Sequence, residues 1–153
     1  MPAPDLRLDP NPTPAEARDL EERIDAFNVE ATGIPFGGPV SCVWRDESGA
    51  VVAGITGYVW GECCHVQFLW VHEARRGAGL GTRLLAFAEE EAARRGCRQV
   101  VLETYTFQAP EFYRKAGYEV MGRVPGHPAP PHEHLFLRKQ LREPVPGGAA
   151  RAR

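Results

Sequence analysis

The chain has 153 residues, 43% of them hydrophobic, which is enough to bury one full core and too few for two ordinary domains. Eighteen basic and twenty acidic side chains leave a formal charge of -2, so no charge excess nominates a nucleic acid or an anionic membrane as a partner. No stretch approaches membrane-spanning length and the start is polar and proline-rich rather than signal-like, so a soluble cytoplasmic protein is expected.

In chain order, Leu6 to Leu8 reads as a short first strand. Thr13, Pro14 and Glu16 then make a capping box with proline at the first helical position. Leu20, Ile24, Phe27 and Ala31 recur every three or four residues along the helix that follows, until Gly33 and Pro35 stop it. Residues 40–44 and 51–60 read as a hairpin about the turn at 46–49. Gly54 and Gly57 weaken the second strand unless something approaches its backbone closely, which predicts a bulge or a neighbouring element there, with a ligand contact as the other reading. Residues 64–71 alternate as a central strand, with Val66, Phe68 and Trp70 on one face and His65, Gln67 and Leu69 on the other.

The period changes at Gly79. Leu80, Leu84, Leu85, Ala88 and Ala92 form a helical stripe, residues 89–91 lie largely off it, and Gly96 is placed to cap the end. Residues 100–104 are a short apolar strand and 110–116 a short helix opened by proline. Two further strands, 118–124 and 134–139, flank a proline-rich connection. The order is mixed α/β, with parallel pairing expected between the strands joined by the long helix. A single domain over residues 1–141 and an aperiodic, disordered tail over 142–153 complete the expectation.

Cys42, Cys63, Cys64 and Cys97 include no C-x-x-C pair, and neighbours on a strand point to opposite faces, so buried, reduced thiols are expected. The strongest chemical signal is the run Arg75, Arg76, Gly77, Ala78, Gly79, Leu80, Gly81 between a strand and a helix. Unpaired amides and the helix dipole attract an anion there, and glycine lets phosphate oxygens approach the backbone. No Lys-Ser or Lys-Thr follows to make a Walker loop, and no N-terminal βαβ unit carries a dinucleotide fingerprint.

Arg76, Gly77, Ala78, Gly79, Leu80 and Gly81 match the Arg/Gln-x-x-Gly-x-Gly/Ala signature, and Phe112, Tyr113, Arg114, Lys115, Ala116, Gly117 and Tyr118 match a Phe-Tyr-x-x-x-Gly-Phe/Tyr block downstream. With these two motifs in order, the chain resembles the GNAT superfamily of acetyl-CoA-dependent N-acetyltransferases. The resemblance extends over residues 40–141 in element order. It implies a central mixed sheet, mostly antiparallel, with a parallel strand pair splayed at the CoA site and helices on its flanks. It also implies that the amides of Gly77, Ala78, Gly79, Leu80, Gly81 and Thr82 bind the CoA pyrophosphate beside Arg76. The backbone of Trp70 and Val71 would then pair with pantetheine as an extra strand. The family's pantetheine-side asparagine corresponds to Gln108, with Thr106 as the alternative. Acetyl-CoA is thus the implied co-substrate, and no metal is expected.

Acyl transfer to an amine needs a neutral nucleophile, a stabilised oxyanion and a proton for the departing thiolate. Tyr113 stands where the resemblance places a phenol near the sulfur; a packed core tyrosine is its competing reading. A primary amine of pKa around 10 is mostly protonated at neutral pH and requires a base. Glu103, near a strand end, is the leading candidate, ahead of Glu62, His65 and Gln67. His127, His132 and His134 cluster in a proline-rich region without a Cys or Asp partner motif. Phe27, Asn28, Phe36, Trp44, Trp60 and Tyr105 are candidates for an acceptor wall around a small-molecule or peptide amine. A homodimer paired through residues 135–137 is a further expectation. Two other readings stand beside the enzyme: a non-catalytic acyl-CoA-binding or sensor protein, and a structural domain whose glycines only pack.

Overall fold

The structure, a computed structural model, describes residues 6–142. It divides into two units, Met1–Pro35 and Phe36–Arg153, each taken by itself below. In the first, the helix α1 (Pro14–Thr32) opens with the expected capping box: the Glu16 N–H donates to Thr13 Oγ1 and the Thr13 N–H to the Glu16 carboxylate. Gly33 caps its end in the left-handed conformation. Residues 6–8 are described but form no strand, so the expected first strand is absent: three residues with no paired neighbour have nothing to satisfy a ladder.

The second unit is built on a six-stranded sheet of order β1-β2-β3-β4-β6-β5: β1 (Phe36–Arg45), β2 (Val51–Trp60), β3 (Cys63–Val71), β4 (Gln99–Tyr105), β5 (Glu119–Pro125) and β6 (Glu133–Gln140). Every pairing is antiparallel except β3 with β4, which the helix α2 (Leu80–Arg94) joins as a crossover. The helix α3 (Pro110–Lys115) leads from β4 to β5.

Leu84, Leu85, Ala88 and Ala92 of α2 are buried with Val40, Ala53, Ile55, Val59, Cys64, Val66, Val100, Leu102, Leu135 and Leu137, so the predicted helical stripe is the one that meets the sheet. At the end of α2 the Cys97 N–H bonds the Ala92 carbonyl (2.9 Å) and the Gly96 N–H that of Ala93 (3.0 Å), a Schellman closure. Glu89 and Glu91, expected to lie off the stripe, are half-buried tethers. Glu89 accepts from Lys139 Nζ (2.7 Å) and from the hydroxyl of Tyr118 (3.1 Å), tying α2 to β6 and to the end of α3. Glu91, held at about 2 by hydrogen bonds from Arg94 and Arg95, fixes Arg95, whose Nη1 reaches the Gly37 and Pro39 carbonyls of β1. All four cysteines are free, and burial pushes the Cys64 thiol up to about 12.

The alternation expected for the central strand fails at its middle. Thr56 pairs with Phe68 and Gly57 with Val66, leaving Gln67 as the extra residue of a β-bulge. An odd insertion exchanges the faces beyond it. Cys64 and Val66 face the core, but Leu69 and Val71 follow them there, while Phe68 and Trp70 are exposed. Gly57 answers the glycine question: a Cβ there would lie 2.3 Å from the His65 carbonyl oxygen, so the close neighbour is β3 itself. The parallel ladder of β3 with β4 covers only Cys63 to Val66 against Gln99 to Leu102.

The expected tail, beyond Arg142, lies outside the described residues. No helix among the described residues is long and apolar enough to cross a membrane. Gly57→Ala is expected to destabilise the protein by about 3 kcal/mol, since backbone rather than a yielding side chain meets the new methyl. A urea midpoint equal to the parent's would show that the bulge does not depend on that approach.

Candidate active site

Where β3 and β4 part, the chain leaves a cavity of about 980 Å³ between residues 66–71 of β3, the turn at 75–79, the start of α2, residues 102–109 and the first turns of α3. Each wall follows from local sequence. Beyond Val66 the edges of β3 and β4 that face one another carry no mutual ladder. The His72 N–H bonds back to Val52 of β2 (2.8 Å), so strand alternation turns the N–H groups of Leu69 and Val71 the other way, into the cavity. An extended ligand has backbone groups to pair with there.

The N-terminus of α2 forms the next wall. Its cap residue is Gly79, with no side-chain cap hydrogen bond and no acidic residue in the first turn, in contrast to the boxed start of α1. The N–H groups of that first turn are the orphans that an anion satisfies, and the helix dipole favours the same charge. Gly77 and Gly79 both sit at φ 78°, where a side chain is strained, and a Cβ on either would meet nothing within 4 Å. The turn needs glycine for its backbone and leaves open space above it. Gly81 is different: a Cβ there would lie 3.4 Å from Phe112 and 3.7 Å from Val71, so it lets α2 close on α3 and β3. Arg76 donates from Nε to the Val71 carbonyl (3.1 Å), locking the turn to the end of β3.

On the β4 side, Gln108 Oε1 accepts from the Thr104 hydroxyl (2.9 Å) and from the Tyr105 N–H (3.0 Å). Its carbonyl is therefore committed to the turn, and its amide nitrogen is the part left for a ligand. Thr106, the alternative, does not line the cavity: its Oγ1 accepts from the Glu133 N–H (3.0 Å) and its own N–H donates to the Glu133 carbonyl (3.0 Å). Tyr113 is buried against Phe112 and Tyr118, and burial pushes its phenol above the ordinary range. Its hydroxyl has no hydrogen-bond partner among the described residues, and it borders the cavity. Glu103 stands on the rim, its carboxylate 45% exposed and one oxygen 3.1 Å from His134 Nε2.

Tyr113, Glu103, Trp70, Val71, Arg76, Gly77, Gly79, Leu80, Gly81, Thr82 and Gln108 all line this one cavity, and Ala78 sits in the same turn. Of the other base candidates, Glu62 pairs with Arg98 (3.3 Å) and His65 Nδ1 with the Tyr58 hydroxyl (3.0 Å), while Gln67 lines the cavity with an amide that cannot take a proton. Of the proposed acceptor wall, Phe36 and Trp60 pack on each other at the far end of β1 and β2 (5.2 Å). Trp44 lies under the Arg83 guanidinium (4.4 Å) beside a separate hollow of about 640 Å³ next to the 46–49 turn. Tyr105, alone of the candidates in the second unit, reaches the region of the cavity, stacked on Phe107; Phe27 and Asn28 belong to the first unit. Phe68 and Phe107 line the cavity without having been singled out for it. The bulge decides the first, and an aromatic residue after a strand is no signal by itself. Among the described residues no group of three His, Cys, Asp or Glu is placed to hold a metal ion.

The profile of the Acetyltransferase (GNAT) family matches residues 5–118. A blasticidin-S acetyltransferase of Streptomyces morookaense is 40% identical over 94 residues, 61% of this chain and 69% of that protein. An acetyltransferase of Agrobacterium fabrum is 32% identical over 111 residues, 72% of this chain and 81% of that protein. The crystal structure of an acetyltransferase from Bacillus cereus superposes with a TM-score of 0.75 at 34% identity, covering 88% of this chain and 98% of the other.

Gln108→Leu keeps the bulk and removes the acceptor of two hydrogen bonds, one from the buried Thr104 hydroxyl. A loss of about 1–3 kcal/mol is expected in chemical denaturation, because that hydroxyl is left unpaired; an unchanged stability would mean the turn is not held by this side chain.

Proposed function

Because this chain belongs to the GNAT acetyltransferase family and is an acyl-CoA-dependent N-acetyltransferase, we propose that it moves an acetyl group from acetyl-CoA directly to an amine in the cleft between β3 and β4. The observation that carries this is the convergence of an uncapped helix start, two unpaired strand edges and a buried phenol on one cavity. The pyrophosphate is assigned to the amides from Gly77 to Thr82. The pantetheine lies along Leu69 to Val71 as an added strand, with the Gln108 amide nitrogen on its other side. CoA supplies the thioester, and each remaining task falls to the chain.

Glu103 takes a proton from the acceptor ammonium, directly or through water. The freed amine attacks the thioester carbonyl, and the negative charge on its oxygen is met by a cleft-facing N–H of β3, that of Val71 in this geometry. Collapse of the tetrahedral intermediate breaks the C–S bond, the thiolate takes the proton of the Tyr113 hydroxyl, and the proton shed by the attacking nitrogen returns through water to the phenolate, leaving a neutral amide and a neutral phenol. Burial keeps that phenol protonated at neutral pH, and the same low-dielectric surroundings raise the proton affinity of the leaving thiolate. The blasticidin-S in the name of the Streptomyces relative is the first acceptor to test.

Gly79→Asp sets a carboxylate where the pyrophosphate is assigned. Isothermal titration of acetyl-CoA is expected to show binding weakened by at least about tenfold, with Gly79→Ala separating the cost of backbone strain from that of charge. Equal affinity in the Asp variant would move the nucleotide elsewhere.

Tyr113→Phe is expected to lower kcat by about a hundredfold while leaving the affinity for acetyl-CoA within about twofold. Thiol release in the presence of an amine measures this, and an unchanged kcat would remove Tyr113 from the mechanism. Binding of acetyl-CoA with no thiol released for any amine would favour a sensor.

A further inference from the structure

The acceptor side of the cavity has a composition that narrows the amine. Among the described residues that line it, Glu103 is the one carboxylate. The two arginines, Arg75 and Arg76, sit at the opposite end, beside the start of α2. A polycationic acceptor would bring several ammonium groups to an acceptor side with a single negative partner.

The apolar surface offered instead is aromatic. Phe107 lines the cavity and is 54% exposed. It is the cavity-lining member of a run of rings and also meets the His132 ring in a T-shaped contact (5.1 Å, 77°). Phe107 stacks on Tyr105 (5.1 Å, 17°), Tyr105 stacks on His134 (4.5 Å, 14°), and His134 leans on Phe136 (4.6 Å). On the β3 side the bulge has turned Phe68 and Trp70 out of the core and into the same cavity wall. Glu103 belongs to both features: one of its oxygens is held by His134, a member of the ring run, and its exposed carboxylate is available to an ammonium.

The geometry points to an acceptor that is a singly charged amine carried on a planar ring. Its ring extends the stack at Phe107 and its ammonium lies against Glu103. This rests on the acetyltransferase reading above and deepens it, because it states what the amine is attached to. Stacking rewards a planar ring over an apolar body of equal size, and the value of one ring pair sets the expected preference at about fivefold.

The test compares three amines at saturating acetyl-CoA by thiol release: 2-phenylethylamine, 2-cyclohexylethylamine and a tetra-amino sugar. The aromatic amine is expected to exceed the cyclohexyl amine about fivefold in kcat/KM and to exceed the sugar by more. Phe107→Leu should bring the aromatic and cyclohexyl values within about twofold, and Phe107→Tyr should keep them apart. Phe107 is surface-exposed, so neither variant threatens folding, which circular dichroism checks. Preference for the cyclohexyl amine or the sugar overturns the proposal, as does a preference that survives in Phe107→Leu. Bound acetyl-CoA with no ring-bearing amine acetylated overturns it too. Failure of acetyl-CoA to bind in titration is a separate outcome that brings down the acetyltransferase assignment of this cavity and the proposal with it.

Discussion

The parallel pairing of β3 with β4 stops after Val66 and Leu102, and the rest of the site depends on that end. Two adjacent strands of a sheet normally exhaust each other's hydrogen bonds. Here Gln67 is one residue too many, and the bulge bends β3 away before its last turn of the pleat. The partner that β4 loses on this side it keeps on the other, where β6 pairs with it through Tyr105. The opening is therefore made without freeing either strand: each is held along its outer edge while the inner edges diverge. The bulge also exchanges the faces of β3, so the insertion that opens the cleft supplies Phe68 and Trp70 to line it.

The helix that fills the angle is held from outside the cleft. Glu89 ties α2 to Lys139 and Tyr118, and Glu91 ties Arg95, which reaches the start of β1. Half-buried charges are tolerated there because every one has a partner at hydrogen-bond distance. The N-terminal turn of α2, in contrast, has no side-chain cap at all. A helix anchored along its length can leave its first amides unsatisfied, and unsatisfied amides with a helix dipole behind them are what an anionic ligand needs.

The cavity divides its chemistry along its length. Glycines and two arginines gather at the α2 end, backbone edges and the Gln108 amide run through the middle, and Glu103 with the ring stack closes the β4 rim. Thr104 illustrates how closely packing and site are joined: buried in the strand, it uses its hydroxyl to orient Gln108. The turn carrying Gln108 is thereby positioned by the same strand whose next-door residue is Glu103.

Much of the fold is legible in the residues, for local reasons. Thr13, Pro14 and Glu16 start a helix by hydrogen bonds within three positions, and Leu84, Leu85, Ala88 and Ala92 declare their face by period alone. The glycine turn before α2 is legible in the same way, because Gly77 and Gly79 answer to the conformation of their own backbone. Leu6 to Leu8 misled because a strand needs a partner that three apolar residues do not announce. Phe68 and Trp70 misled because alternation assumes an even count, and the odd residue at Gln67 is defined only against Thr56 and Gly57 across the ladder. That Gln108 and not Thr106 lines the cavity is visible only once Glu133 has taken the threonine into the start of β6. Sequence by itself determined the helices, the order of elements from residue 14 onward and the glycine turn before α2, each set by interactions a few residues apart. Tertiary structure alone decided where the ladder ends, which rings face the cleft and which carboxylate stands on its rim, because those depend on contacts between strands far apart in the chain.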